Sequence, residues 1–168
     1  MTQSHTTLVD LHRKVDEAAA YLRDLHKERL QCRPGCASCC IDDITVFAIE
    51  AENIASHNTR LLETGIPHAR GACAFLDELN RCRIYEQRPY VCRTQGLPLR
   101  WMSENDHGEI VEMRDICPLN EEGTPIEELP SGTCWTIGPV EEQLAELQHA
   151  ASGAMMTRVR LRTLFRKA

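Results

Sequence analysis

The chain has 168 residues, which fits a single domain spanning residues 1–168. Its formal net charge of -6 argues against a nucleic-acid partner, because phosphate contacts need concentrated Lys and Arg. No apolar run approaches the roughly 18 residues of a membrane span, and the opening stretch MTQSHTTLVDLHRK has no apolar segment of the kind that a secretion signal carries. We therefore expect a cytoplasmic protein.

A long amphipathic helix is predicted over residues 8–30. Apolar residues recur there every three or four positions, with charged residues between them: Leu8, Leu11, Val15, Ala18, Ala19, Leu22 and Leu25. Pro34 and Gly35 end the helix, because proline disfavours helical geometry in the preceding residue and glycine permits a sharp turn.

A second helix is predicted from about Val46 to Ser56, after a short extended lead. Asp43 or Thr45 would cap its start. Its apolar face would consist of Phe47, Ala51 and Ile54.

The stretch from Gly65 to Gly138 is predicted to be irregular, because Pro and Gly recur along it and its apolar runs are short. A small β-hairpin is expected between Trp101 and Met113, with its turn at residues 105–108, NDHG. These central loops are expected to have little apolar surface of their own.

A C-terminal helix is predicted over residues 139–166, with Pro139 at its first position and Glu141 near its positive end. Its apolar stripe would comprise Leu144, Leu147, Ala151, Met155 and Val159, and Gly153 would weaken it midway. The predicted fold class is therefore mainly α with irregular loops, in which helices at both ends flank a small metal-stapled cysteine-cluster region.

Basic residues are concentrated near the C-terminus: Arg158, Arg160, Arg162, Arg166 and Lys167. We expect a solvated face near the negative end of the helix, which cations stabilise. Contact with RNA or an acidic membrane is the alternative.

Nine cysteines are spread along the chain: Cys32, Cys36, Cys39, Cys40, Cys73, Cys82, Cys92, Cys117 and Cys134. In a reducing compartment disulfides are rare, and clustered thiols more often hold metal or do redox work. The odd number also fits a pure disulfide scaffold poorly. Metal binding is therefore favoured over disulfides and over unligated buried thiols.

The stretch CRPGCASCC begins at Cys32 and carries the densest group. Two residues separate Cys36 from Cys39, a spacing that lets two sulfur atoms converge on one ion from a tight loop. Cys39 and Cys40 are adjacent, and a disulfide between neighbours is strained. We expect different roles for these two sulfurs: one ligates while the other packs, or the pair serves two metal positions or two iron atoms of one cluster.

A second stretch, CAFLDELNRCRIYEQRPYVCR, runs from Cys73 to Arg93. Together with the first stretch and a later Cys-Pro pair, it resembles the YkgJ-type cysteine-cluster family of bacterial zinc- or iron-chelating domains. The resemblance implies a metal-binding core over residues 32–117. It also implies the metal ligands Cys32, Cys36, Cys39, Cys40, Cys73, Cys82, Cys92 and Cys117.

Several residues have plainer expected roles. Cys134 has no counterpart in the family and is expected to be a small buried hydrophobe. No histidine pair has ligand spacing, so packed or exposed imidazoles are expected at His57, His68, His107 and His149. Arg88 is expected to form a structural salt bridge or to face sulfur.

The leading functional hypothesis is a metal-binding protein whose loops are organised by zinc or by an iron-sulfur cluster, without catalysis of its own. Zinc would be redox-silent, whereas a cluster would be coloured and could carry one electron. The alternative is an iron-sulfur oxidoreductase or an accessory enzyme related to the flagellin lysine methylases, which have a similar cysteine cluster. A thiol oxidoreductase is the third hypothesis. The metal ion is the expected partner, and an unidentified protein partner is left open.

Overall fold

The computed structural model describes residues 2–153 and 156–166, and the side chains of residues 8–153 and 156–166. The helices are α1 (Thr2–Leu25), α2 (Ala48–His57), α3 (Thr59–Thr64), α4 (Tyr90–Arg93) and α5 (Pro139–Ser152). The strands are β1 (Thr45–Phe47), β2 (Leu99–Glu104), β3 (Ile110–Asp115), β4 (Trp135–Thr136) and β5 (Arg158–Arg160). Because the strands form two small sheets, the fold is mixed α/β, and the mainly helical class is only partly confirmed.

Helix α1 begins earlier and ends earlier than predicted. It begins at Thr2 and ends at Leu25, instead of spanning residues 8–30. The chain turns away at His26, whose ring nitrogen Nε2 lies 2.7 Å from the carbonyl oxygen of Thr133. The contact joins residues far apart in the sequence, so the apolar periodicity of the helix could not predict it. Most of the predicted apolar stripe is buried, and its last member, Leu25, is exposed.

Helix α2 begins at Ala48, because the residues before it pair as strand β1. Neither Asp43 nor Thr45 caps it. Instead, the backbone N–H of Phe47 donates to the Glu50 carboxylate at 3.3 Å. The predicted apolar face is buried as expected: Phe47, Ala51 and Ile54.

Strands β2 and β3 form the predicted antiparallel hairpin. Asn105 holds its turn at residues 105–108, because the Asn105 Oδ1 atom accepts from the N–H groups of His107 at 2.9 Å and Glu109 at 3.0 Å. Strand β4 was not predicted. It pairs in parallel with β2 and completes a sheet of order β3-β2-β4.

Helix α5 ends at Ser152, so the prediction of a helix over residues 139–166 is wrong in its second half. Gly153 follows at φ +76°, a left-handed conformation that commonly ends helices. Beyond it, β5 pairs antiparallel with β1, and a short 3-10 turn covers Leu161–Leu164. Pairing with a distant strand therefore replaces the predicted helix. Met155 of the predicted stripe lies outside the described residues.

The structure corrects the expectation that the basic C-terminal run is a solvated face of a helix. Arg162 donates hydrogen bonds to the carbonyl oxygens of His68 at 2.8 Å and Ala72 at 2.9 Å, and its guanidinium also pairs with Asp42. It thereby fastens the C-terminal segment to the loop that leads into Cys73. Lys167 lies outside the described residues.

One apolar cluster joins α1 and α5 to the start of α4 and to strand β4. Within this cluster, the indole N–H of Trp135 donates to the hydroxyl oxygen of Tyr90 at 2.8 Å. The cluster contains Leu8, Leu11, Val15, Ala19, Leu22, Phe47, Ile49, Tyr90, Leu97, Trp135, Leu144 and Ala145. Burial of each large aliphatic side chain contributes roughly 1.5–3 kcal/mol. Within residues 2–153 and 156–166, no helix has the length and apolar character that a membrane span requires.

A second apolar cluster lies beneath the cysteine region. It contains Val46, Ala51, Ile54, Leu62, Cys73, Ala74, Phe75, Leu76, Ile84, Leu161 and Phe165, with Cys40 and Cys82 packed against it. Phe75 is fully buried, and its ring centroid lies 4.9 Å from that of Phe165. The expectation that the central loops have little apolar surface is therefore wrong. The C-terminal segment supplies part of that surface, which local sequence could not indicate.

Candidate metal centre

The first cysteine loop consists of two consecutive turns. Gly35 adopts φ +88°, and the Cys36 N–H donates to the Arg33 carbonyl at 2.9 Å. The Cys40 N–H then donates to the Ala37 carbonyl, also at 2.9 Å. These turns set Cys36 at the end of one turn and Cys40 at the end of the next.

A backbone contact joins the second cysteine stretch to the first. The N–H of Cys73 donates to the carbonyl of Cys40 at 2.8 Å. Leu76 and Cys82 then pair as an isolated antiparallel bridge. The chain therefore folds back on itself, so that Cys73 and Cys82 both lie beside the first loop.

Cys92 lies on the short helix α4, and Pro89 is the N-cap residue that precedes this helix. The Cys92 N–H donates to the Pro89 carbonyl at 2.9 Å. On either side of it, Arg88 donates to the Asp16 carboxylate at 3.0 Å, and Arg93 pairs with the same carboxylate. The structural salt bridge expected for Arg88 is confirmed. Helix α1 thus fixes the position of the turn that carries Cys92.

Five thiols form what we call the inner group: Cys39, Cys40, Cys73, Cys82 and Cys92. They share one electrostatic neighbourhood. Burial is the largest cause that raises the pKa of the Cys92 thiol, and negative charge on Cys73, Cys82 and Cys39 raises it further. Burial likewise raises the pKa of Cys73 and Cys82, while the nearby Arg83 guanidinium opposes that rise.

The adjacent thiols Cys39 and Cys40 behave differently from each other. A hydrogen bond from Cys40 lowers the pKa of Cys39 to about 6, and the same hydrogen bond raises the pKa of Cys40. Of the two adjacent thiols, Cys39 is therefore the one that favours the thiolate form. A metal ion that recruits the other inner thiols displaces their protons on binding.

Three further thiols form what we call the outer group: Cys32, Cys36 and Cys117. The Ser38 hydroxyl oxygen lies 3.8 Å from the sulfur of Cys36 and 3.8 Å from the sulfur of Cys117. Cys32 is exposed, and the other two are half-buried. The eight thiols implied by the resemblance are thus placed in two neighbourhoods.

Sequence reasoning missed the buried Asn120, which lies against the outer group. Its Nδ2 atom lies 3.6 Å from the Cys32 sulfur, and its backbone N–H donates to the Cys117 carbonyl at 2.7 Å. Its position three residues after Cys117 is the only local signal. The contact with Cys32 joins residues 88 positions apart, and no sequence pattern indicates it.

Soft thiolate ligands suit zinc and iron, so the chemistry of the donor set fits the expected metals. All nine cysteines are free thiols. Among the side chains that the structure describes, in residues 8–153 and 156–166, no three Cys, His, Asp or Glu side chains already stand where they could hold one ion. The sulfur atoms of each group must therefore approach one another further to share a metal.

Two of the residues expected to have plain roles make contacts of the ordinary structural kind. Cys134 is buried, and its thiol faces the Pro130 carbonyl at 4.0 Å. The Nδ1 atom of His57 lies 2.9 Å from the Asn53 carbonyl. These contacts are structural, as predicted for both residues.

Eight free thiols carried by the loops of a small α/β fold define a cysteine-rich type of domain suited to metal. The CxxCxxCC family model, described as "Putative zinc- or iron-chelating domain", matches residues 31–118. The match spans more than half of the chain and includes both thiol groups, so the chain belongs to this family. The cysteine-cluster family predicted from the sequence is confirmed. Neither the curated proteins nor the solved structures compared with the chain include a significant match.

Proposed function

We propose that the protein binds zinc or iron through cysteine thiolates drawn from distant parts of the chain. The observation that carries the proposal is the inner group: the Cys73 N–H donates to the Cys40 carbonyl at 2.8 Å, and the bridge between Leu76 and Cys82 brings a further thiol into the same region. Membership of a zinc- or iron-chelating family supports a metal-binding role.

The proposed ligands are the eight cysteines of the inner and outer groups. Cys40, Cys73 and Cys82 belong to the apolar cluster or pack against it, so their backbone positions are held independently of metal. Guanidinium groups near these sulfurs favour the thiolate form: Arg83 and Arg162 act on Cys73. A four-thiolate zinc site carries two net negative charges, which such neighbours stabilise.

The metal would organise loops and need not take part in catalysis. We place the protein in the cytoplasm, where reducing conditions would keep the thiols available for metal. Its partner is the metal ion itself, and any protein partner would recognise the surface that the metal orders.

The test is to purify the full chain without oxygen, record its absorption between about 300 and 700 nm, and measure metal per chain. One or two zinc ions in a colourless sample support the zinc form. Iron with acid-labile sulfide and broad visible absorption supports the cluster form. A folded protein that holds neither metal would contradict the proposal.

Three serine variants locate the ligands. Cys39→Ser and Cys92→Ser should lower the metal content, because each removes an inner thiol. Cys134→Ser is the matched control, since that thiol is buried and faces a carbonyl instead of other sulfurs. Equal metal content in all three variants would contradict the ligand assignment.

A further inference from the structure

A cavity of about 300 Å³ lies between helix α1, helix α2 and residues 86–93, and none of its described lining residues is a cysteine. Its volume is at the lower end of the range for small-molecule sites. Exposed side chains at its rim leave it open to solvent: Val9, His57 and Glu86. The remaining lining includes three buried polar side chains: His12, Asn53 and Arg93.

Two of these buried side chains have a polar atom without a hydrogen-bond partner among the described residues. The atoms are Asn53 Oδ1, which is an acceptor, and Arg93 Nε, which is a donor. Buried polar atoms are nearly always hydrogen-bonded, because an unpaired one has lost its bonds to water without replacement. Both residues line this cavity, so a molecule inside it is placed to supply the missing bonds.

Ion pairs and hydrogen bonds hold the buried lining in a fixed orientation. The Arg93 guanidinium pairs with the Asp16 carboxylate through Nη1, which leaves Nε as its unused donor. The Nε2 atom of His12 lies 3.1 Å from the Glu50 carboxylate and therefore carries the proton that it donates there. The Nδ1 atom of His12 is then an acceptor. The lining residues thus offer acceptors on His12 and Asn53 and a donor on Arg93.

The mixture of charges and hydrogen-bonding atoms favours a neutral ligand. A carboxylate would accept from Arg93 Nε, but it would also face the Asn53 oxygen and the carboxylate of Glu50. An ammonium group would suit the Asn53 oxygen, but the Arg93 guanidinium would repel it. A primary carboxamide has no charge and carries both functions, because its carbonyl oxygen accepts and its NH₂ group donates twice.

We propose that this cavity binds a small neutral molecule that carries a primary carboxamide on a flat body. Its carbonyl oxygen accepts from Arg93 Nε, and its NH₂ group donates to Asn53 Oδ1. The side chain of Val9 and the imidazole of His57 flank the flat body. The cavity has room for about ten water-sized groups, since each takes roughly 30 Å³. This site goes beyond the proposed metal binding and does not depend on it.

The test is a titration with benzamide of the full chain purified without oxygen, followed through the NMR shifts of its backbone amides. We expect saturable shifts in the segments that line the cavity. Benzoate and acetophenone are the matched control ligands: benzoate is charged, and acetophenone has a methyl group in place of NH₂. Each should bind about tenfold more weakly or worse, because neither can donate to the buried Asn53 oxygen.

Asn53→Leu separates a ligand-binding role from a structural one. It removes the unpartnered acceptor with little change in volume, so the affinity for benzamide should fall about tenfold or more. The melting temperature should stay the same or rise, because the variant no longer buries an unpaired oxygen. Unchanged benzamide affinity in Asn53→Leu would overturn the inference.

A second variant leaves the buried lining intact and obstructs the rim. Val9 is 54% exposed on α1, so Val9→Trp should fold normally and weaken benzamide binding by narrowing the entrance. Leu25→Trp is the matched control, because Leu25 lies on the same helix, is 47% exposed and does not line the cavity. Equal benzamide affinities in the two tryptophan variants would count against the site.

Two further results would also overturn the inference. One is the absence of any shift up to the solubility limit of benzamide, which would mean that the cavity takes only water. The other is equal affinity for benzamide and acetophenone. Neither result bears on the metal, and the metal content of Asn53→Leu should equal that of the wild type. Failure of this inference is therefore distinguishable from failure of the proposed function.

Discussion

Asp16 on helix α1 binds Arg88, in the turn that precedes Cys92, through a carboxylate–guanidinium hydrogen bond of 3.0 Å. The same carboxylate pairs with Arg93, whose side chain is 5% exposed. Asp16 lies outside the family match to residues 31–118, yet it fixes the segment that carries an inner thiol. The N-terminal helix is therefore part of the support of the candidate metal centre.

Replacement of Asp16 by Asn should lower the free energy of unfolding by about 1–3 kcal/mol, because it leaves the buried Arg93 guanidinium without its counter-ion. The partial exposure of Asp16 keeps the loss below that of a fully buried pair. Urea unfolding measures this loss in the free energy of unfolding. Asp10→Asn, which removes an exposed pair with Arg13, should cost less than about 0.5 kcal/mol. Equal losses in the two variants would rule out the anchoring role.

The elements that depend on near neighbours in sequence could be predicted. The periodicity of α1 and the turn residues around Asn105 act locally, so helix and hairpin were both expected. The end of α5 was missed because Gly153 redirects the chain toward a distant strand. Helix propensity alone cannot predict that pairing with a distant strand will replace the helix.

The candidate metal centre also has one part that the sequence could predict and one part that it could not. The types and spacing of the cysteines indicated metal, because ligand chemistry is written in the residues themselves. The division into an inner and an outer group depends on contacts such as Cys73 to Cys40 and Asn120 to Cys32. These contacts join distant residues, and single-sequence patterns contain no information on them.

Arg162→Lys should loosen the loop that leads into Cys73. Lysine cannot reproduce the fork that donates to the carbonyls of His68 and Ala72, so stability should fall by about 1–2 kcal/mol. Hydrogen exchange followed by mass spectrometry should show faster exchange around residues 68–74. Arg166→Lys, at an exposed position, is the control. Unchanged exchange in that loop would show that Arg162 does not hold it.

The hairpin should lose stability in acid. The hydrogen bond from Arg114 is the main cause that lowers the pKa of Glu112 from 4.5, so this carboxylate stabilises the folded state above pH 4.5. That contribution should vanish as the pH falls through the lowered pKa. The difference in Tm between the wild type and Glu112→Gln should therefore be largest near neutral pH and shrink below pH 4. A difference that grows in acid would contradict this sign.

Removal of metal should affect the cysteine loops more than the helical cluster. After chelation, we expect faster hydrogen exchange in residues 31–43 and 70–97, because thiolate–metal bonds tie those loops together. Helices α1 and α5 pack through their own apolar cluster and should change less. Uniform acceleration over the whole chain would instead indicate that the metal controls global folding.

X-ray absorption at the metal edge of the protein purified without oxygen tests the central claim most directly. We predict a first shell dominated by sulfur, at about 2.3 Å for zinc. The sulfur count should fall in Cys92→Ser and stay unchanged in Cys134→Ser. A first shell of oxygen and nitrogen alone would contradict the claim that cysteine thiolates hold the metal.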